Sequence, residues 1–87
     1  MQINKLRVLI EAGAVREVVA SYQAEGSGWT VVLTYASRSG ERRAGLERQR
    51  GGRRGFATLD AVARALAGLG LSMFRVDATG LAEAEPP

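Results

Sequence analysis

The sequence predicts a single α+β domain with the element order α-β-β-β-α-β, in which a helix packs on one face of an antiparallel meander sheet and a short helix comes first. Two apolar patterns predict this class. A stripe at helical spacing comprises Leu59, Val62, Ala63 and Leu66. A period-two pattern comprises Trp29, Val31, Leu33 and Tyr35. With 87 residues, 46% apolar and 24% charged, the chain has room for one core and the composition of a folded domain.

The first predicted elements are a helix and a strand. Apolar residues at helical spacing near the start are Ile3, Leu6, Leu9 and Ile10. Asn4 is a candidate cap for this short amphipathic helix, and Gly13 is placed to end it. The run from Val15 to Gln23 is rich in β-branched and aromatic residues, which predicts a strand, and residues 25–28 have the composition of a turn.

Two further strands are predicted after that turn. The alternation across residues 29–35 predicts the central strand, with its apolar side chains in the core rather than stacked on bases. Residues 37–40 form a tight turn by composition. Residues 41–50 then predict a polar strand, with Ala44 and Leu46 on one face, and polar composition is typical of a sheet edge.

The second half of the chain predicts a helix and a last strand. Thr58 is placed as N-cap, Asp60 lies in the first turn, and Asp60 and Arg64 are spaced to form an ion pair on the outer face. Residues 71–77 have the composition of a strand. We therefore expect one globular domain at residues 1–78 and a disordered tail, rich in acidic residues and proline, at residues 79–87.

Several classes of function are disfavoured by composition. The chain has no histidine and no cysteine, so a catalytic triad and a zinc site lack their usual groups, and we expect a cytoplasmic protein with no metal, no cofactor and no enzymatic activity. The nine acidic residues are scattered, and only folding could bring Glu17, Glu41 and Glu47 together. The apolar runs are far shorter than the roughly 20 residues that cross a bilayer, so we expect no membrane partner.

Positive charge is concentrated in residues 38–54. The candidate nucleic-acid-binding residues there are Arg38, Arg42, Arg43, Arg48, Arg50, Arg53 and Arg54. Against two glutamates these arginines give the segment a charge of +5, although the whole chain carries only +3. The planar guanidinium can donate two hydrogen bonds to one phosphate. Three interpretations stay open: a solvated edge strand, a nonspecific contact to DNA phosphates, and a docking surface for an acidic protein.

Five stretches of the chain resemble the ParC-type partition-associated proteins, which are unrelated to the topoisomerase subunit of that name. The stretches are Ile3 to Ala14, Gly28-Trp29, Thr58 to Arg64, Leu69-Gly70 and Phe74 to Ala78. The resemblance implies a non-catalytic accessory protein of a plasmid or mobile-element partition system, whose partner is DNA or another partition protein. It implies no catalytic residues, since the shared stretches consist mainly of helix caps and core positions.

Overall fold

The computed structural model describes residues 1–26, 28–48 and 52–84 and confirms the α+β class. The elements in this part of the chain are α1 (Ile3–Glu11), β1 (Val15–Gln23), β2 (Gly28–Ser37), β3 (Gly40–Gly45), α2 (Leu59–Gly68), β4 (Arg75–Asp77) and α3 (Thr79–Ala84). Within these ranges, none of the helices has both the length and the apolar character needed to cross a membrane.

The four strands form one mixed sheet in the order β3-β2-β1-β4. The predicted meander is confirmed, because β1 and β3 each pair antiparallel with β2. The prediction of an antiparallel sheet is wrong for β4, which pairs parallel with β1 and places Val76 opposite Ala20. The cause is the crossover through α2. This connection leaves β3 at one edge and returns at the opposite edge, where β4 runs in the same direction as β3 and β1.

The core lies between the two longer helices and one face of the sheet. Its largest fully buried side chains are Leu6, Val31, Leu33, Leu46, Val62 and Leu66. The period-two residues of β2 and the helical stripe of α2 therefore contribute to the same buried cluster, as the two patterns predict. Apolar side chains at every second position reach one face of a strand, so a single register buries the whole set.

The predicted residues at the helix ends are confirmed for Thr58 and Gly13 but not for Asn4. The Thr58 hydroxyl accepts a hydrogen bond from the amide of Ala61 at 3.1 Å, which confirms the predicted cap of α2. Gly13, with a φ of 68°, follows the end of α1 in the left-handed conformation that favours glycine. Asn4 is not the cap of α1, because the helix begins one residue earlier and Gln2 stands at the N-cap position.

Two strands are shorter than predicted. The edge strand ends at Gly45 instead of residue 50: Leu46 still faces the core, as Ala44 does, but from Glu47 the chain pairs with Arg53 in a separate hairpin. The last strand begins at Arg75 instead of residue 71. Leu71 and Phe74 pack partly against the core, so their apolar character reflects helix-side packing rather than pairing in the sheet.

The predicted disordered tail is wrong for residues 79–84, which form α3 and pack against β1. Asp77 caps this helix: its Oδ1 accepts a hydrogen bond from the Thr79 amide at 3.0 Å. Hydrogen bonds from the Thr79 side chain and backbone lower the pKa of the Asp77 carboxyl. The cap therefore stabilises the fold above the ordinary pKa of aspartate and weakens as the pH falls through the lowered value. Residues 85–87 lie outside the described part.

Close packing of α3 depends on Gly80. A Cβ atom at this position would stand far inside van der Waals contact of the Tyr22 carbonyl oxygen. We expect Gly80→Ala to detach α3 from β1 and to raise the amide hydrogen-exchange rates of residues 79–84 to those of an exposed segment. The matched control is Gly68→Ala, where a Cβ meets open space in α2 and exchange should be unchanged or slower. Equal exchange rates in Gly80→Ala and the parent would contradict this packing.

Candidate nucleic-acid interface

The predicted arginines follow one edge of the sheet. Beyond β3, the amide of Leu46 donates to the Val31 carbonyl at 2.8 Å, so the chain stays beside β2. Glu47 then pairs with Arg53, and the amide of Arg54 donates to the Leu46 carbonyl at 3.0 Å. Residues 46–48 and 52–54 thus form a short hairpin that extends the edge. We call residues 38–48 and 52–54 the arginine edge.

The hairpin returns to the sheet at Phe56. The amide and carbonyl of Phe56 exchange two hydrogen bonds with Trp29, both of 2.7 Å. A Cβ at Gly28 would stand 3.0 Å from the Phe56 carbonyl oxygen, so glycine permits this approach. The guanidinium of Arg54 lies over the Phe56 ring, 4.7 Å from its centroid. This stretch is therefore a hairpin at the sheet edge, and the chain after it is fixed to β2 by the Phe56–Trp29 hydrogen bonds. The sequence alone indicates a simple loop.

Neighbouring arginines of β3 project to opposite faces of the sheet. Arg42 lies opposite Tyr35, on the face that the helices cover, and Arg43 lies opposite Thr34, on the other face. On the helix side, the Nζ of Lys5 stands 5.7 Å from the centroid of the Tyr35 ring. Positive charge is therefore present on both faces of the sheet at this edge. Lys5 adds a basic group on the helix side, and its position beside the edge is not evident from the sequence.

Five of the six described arginines of this edge are exposed, and none of the six forms an ion pair with another described residue. Those with exposed side chains are Arg38, Arg42, Arg43, Arg48 and Arg53, and Arg54 is half-buried. Ion pairs in the described ranges instead join Asp60 to Arg64 at 2.9 Å, Glu17 to Arg75 at 3.8 Å, and the Met1 amino group to Glu47. Six guanidinium groups with no carboxylate partner among the described residues therefore share one edge, and Nη2 of Arg42 donates to the Ser39 hydroxyl at 3.2 Å. The seventh predicted residue, Arg50, lies outside the described residues.

One of the two glutamates on the edge is held by the start of the chain. The amino group of Met1 donates to the Gly45 carbonyl at 2.6 Å and contacts the Glu47 carboxylate. This contact attaches the start of α1 to the arginine edge and directs the Glu47 charge towards Met1 rather than towards an arginine. A contact between residues 46 positions apart leaves no local signal in the sequence.

The acidic residues do not form a site. Glu17 lies on β1 and pairs with Arg75 near one edge, whereas Glu41 lies on β3 at the opposite edge. Across the ranges that the structure describes, no group of three or more acidic, histidine or cysteine residues is placed to hold a metal ion. Trp29 and Tyr35 are buried in the core, as predicted, and so are not available to stack on bases.

The fold and this edge together define the class of protein: a small α+β domain whose sheet ends in a strand and hairpin lined with arginines that form no ion pair within the described ranges. Comparisons with protein-family models, curated proteins and solved structures found no match. The functional interpretation therefore depends on the residues and geometry of the arginine edge.

Proposed function

We propose that this protein is a non-catalytic, cytoplasmic accessory protein of a plasmid or mobile-element partition system, and that it contacts nucleic-acid phosphates through the arginine edge. The partition role is supported by the resemblance to the ParC-type proteins. The phosphate contact is supported by the placement of the arginines and by their lack of ion pairs among the described residues.

The main support for the proposed phosphate contact is that the six described arginines of this edge form no ion pairs. An arginine already bound to a carboxylate must give up that partner before it binds phosphate, whereas these guanidinium groups are free of that cost. Each contact to a phosphate also releases condensed counterions from the nucleic acid, which provides a favourable, sequence-independent contribution to binding.

The length of the edge fits a row of phosphates. The six residues of β3 extend over roughly 20 Å at about 3.3 Å per residue. B-DNA carries about one phosphate per 3.4 Å of axis on each strand, so this span can present several phosphates to the edge. Because Arg42 and Arg43 project to opposite faces, the edge can enter between two phosphate rows instead of lying flat on one.

Sequence-specific readout has little support on this edge. Asparagine and glutamine are the residues that read adenine by paired hydrogen bonds, and neither occurs among the described residues of the arginine edge. Phosphate contacts position a protein but carry no base information. We therefore propose binding that is mainly electrostatic and nearly equal for unrelated duplexes.

The alternative is an adaptor that binds another partition protein and no nucleic acid. The same unpaired arginines would then face carboxylates of an acidic partner surface. This alternative predicts no measurable affinity for duplex DNA at low salt, so the two proposals are separated by one binding assay.

A triple variant tests the edge directly. We expect Arg42→Gln, Arg43→Gln and Arg53→Gln together to weaken binding to every duplex and to flatten the slope of log K against log salt by about two to three, since each phosphate contact contributes about 0.9. These side chains are exposed, so the free energy of unfolding should change little.

The matched control removes the same charge elsewhere, with Arg7→Gln, Arg16→Gln and Arg64→Gln on α1, β1 and α2. We expect this control to change the slope by less than about one, because it removes long-range attraction but no contact. If both triple variants lose the same affinity, net charge and not the edge determines binding, and the proposed interface is wrong.

A further inference from the structure

The opposite edge of the sheet combines exposed apolar side chains with two opposite charges. β4 is the terminal strand there and pairs with β1. Met73 is 84% exposed and Val76 is 48% exposed, and both belong to the small group of large apolar side chains that the described residues leave open to solvent. Arg75 and Asp77 flank Val76 and are also exposed. We call residues 73–77 the β4 edge.

An edge strand leaves backbone amides and carbonyls available to pair with another strand. Charged side chains usually oppose such pairing between identical chains, because like charges meet across the new contact. On β4 the effect depends on register. Arg75 and Asp77 have opposite charges and lie one residue on either side of Val76. The register in which two copies pair therefore decides whether like or opposite charges meet.

Only one antiparallel register brings the opposite charges together. When two copies pair about Val76, Arg75 of each copy lies directly opposite Asp77 of the other, and the two Val76 side chains meet. A register centred on Arg75 would place two arginines opposite each other, and one centred on Asp77 would oppose two carboxylates. A two-fold arrangement is self-complementary, so one favourable pair is necessarily made twice.

We propose that a second copy of this chain docks antiparallel on the β4 edge, centred on Val76, and joins two four-stranded sheets into one sheet of eight strands. Arg75 and Asp77 lie on the same face as Val19 and Ser21, and Val76 lies on the helix side with Ala20. The charged pairs therefore form on one face and the apolar contact on the other.

The neighbouring contacts leave both charged groups available. The Asp77 carboxylate accepts from the amide and the side chain of Thr79, and its two oxygens keep further acceptor positions for Arg75 of the second copy. Arg75 contacts Glu17 at 3.8 Å, a long distance between two exposed side chains, so the guanidinium is only weakly held. The arginine edge lies at the far side of the sheet, so docking leaves it accessible in both copies.

The dimer should be weak. A three-residue strand, with Met73 beside it, buries less than the 1,200 Å² or so of total surface that is typical of stable complexes. We therefore expect the parent to associate measurably between about 10 µM and 1 mM, in the range of transient interfaces.

Sedimentation equilibrium on the full chain tests this interface with two charge reversals. Arg75→Glu and Asp77→Arg each place like charges opposite each other in the proposed register, so each variant alone should associate at least about tenfold more weakly than the parent. An equimolar mixture of the two variants should recover the parent's association, because both cross-strand pairs are then of opposite sign.

The mixture also controls for folding, since Asp77→Arg removes the cap of α3 and an unfolded variant cannot be rescued by its partner. Arg64→Glu, on the outer face of α2, provides a charge-reversal control that should associate like the parent. A parent that stays monomeric up to about 1 mM, or a mixture that associates no better than the separate variants, would overturn the proposed dimer.

Discussion

Replacing Leu66 with alanine is expected to lower the free energy of unfolding by about 2 to 5 kcal/mol. Leu66 is 1% exposed and lies on α2, in the same buried cluster as Val31 and Leu33 of the central strand. Truncation removes buried methyl groups and leaves a cavity between helix and sheet that close-packed neighbours fill only in part. Because small domains have a total stability of about 5 to 15 kcal/mol, this loss is a large share of the whole.

Urea denaturation measures the effect, with the fluorescence of the buried Trp29 as the probe. The control is Val8→Ala on α1: Val8 is 63% exposed, so its truncation should change the free energy of unfolding by no more than about 0.5 kcal/mol. An unchanged unfolding midpoint for Leu66→Ala would mean that α2 does not pack on the sheet.

The parts of the fold that depend on local patterns could be predicted from the sequence. The alternation in β2 and the helical stripe in α2 each require only one buried face, and both are confirmed by burial. The Thr58 cap could be predicted for the same reason, because the capping hydrogen bond spans three residues.

Local patterns could not predict that β4 pairs parallel with β1, nor that the C-terminal segment forms a helix. Composition does not specify whether a strand pairs parallel or antiparallel, and the three residues of β4 contain too little pattern to show it. The small residues around Gly80 are typical of the disordered tail that the sequence predicts. Their actual role is to allow α3 to approach the backbone of Tyr22, which is distant in sequence.

The charge of the candidate site could be predicted, but its shape could not. The concentration of arginine in residues 38–54 is visible in the sequence. The period-two rule could also have shown that Arg42 and Arg43 project to opposite faces. The hairpin pairing of Glu47 with Arg53, the Met1 contact and the nearby Lys5 arise from tertiary packing and have no local signal.

Affinity for DNA should fall steeply with salt if the arginine edge contacts phosphate. Four or five contacts predict that log K falls against log salt with a slope of about −4, since each contact contributes about −0.9 for duplex DNA. Raising the salt concentration from about 50 to about 200 mM should then weaken binding by roughly two orders of magnitude. An exposed edge that merely keeps the protein solvated has no such dependence, because it makes no contact and releases no counterions.

The most direct test of phosphate binding is a fluorescence anisotropy titration of two unrelated duplexes of equal length, repeated at several salt concentrations between about 50 and 200 mM. We expect both duplexes to bind with similar affinity and to give a slope of about −4. Protein kept near 1 µM, below the range expected for pairing through the β4 edge, keeps self-association out of the result. Absence of binding at the lowest salt concentration, or binding with a slope near zero, would contradict the proposal that the arginine edge contacts nucleic-acid phosphates.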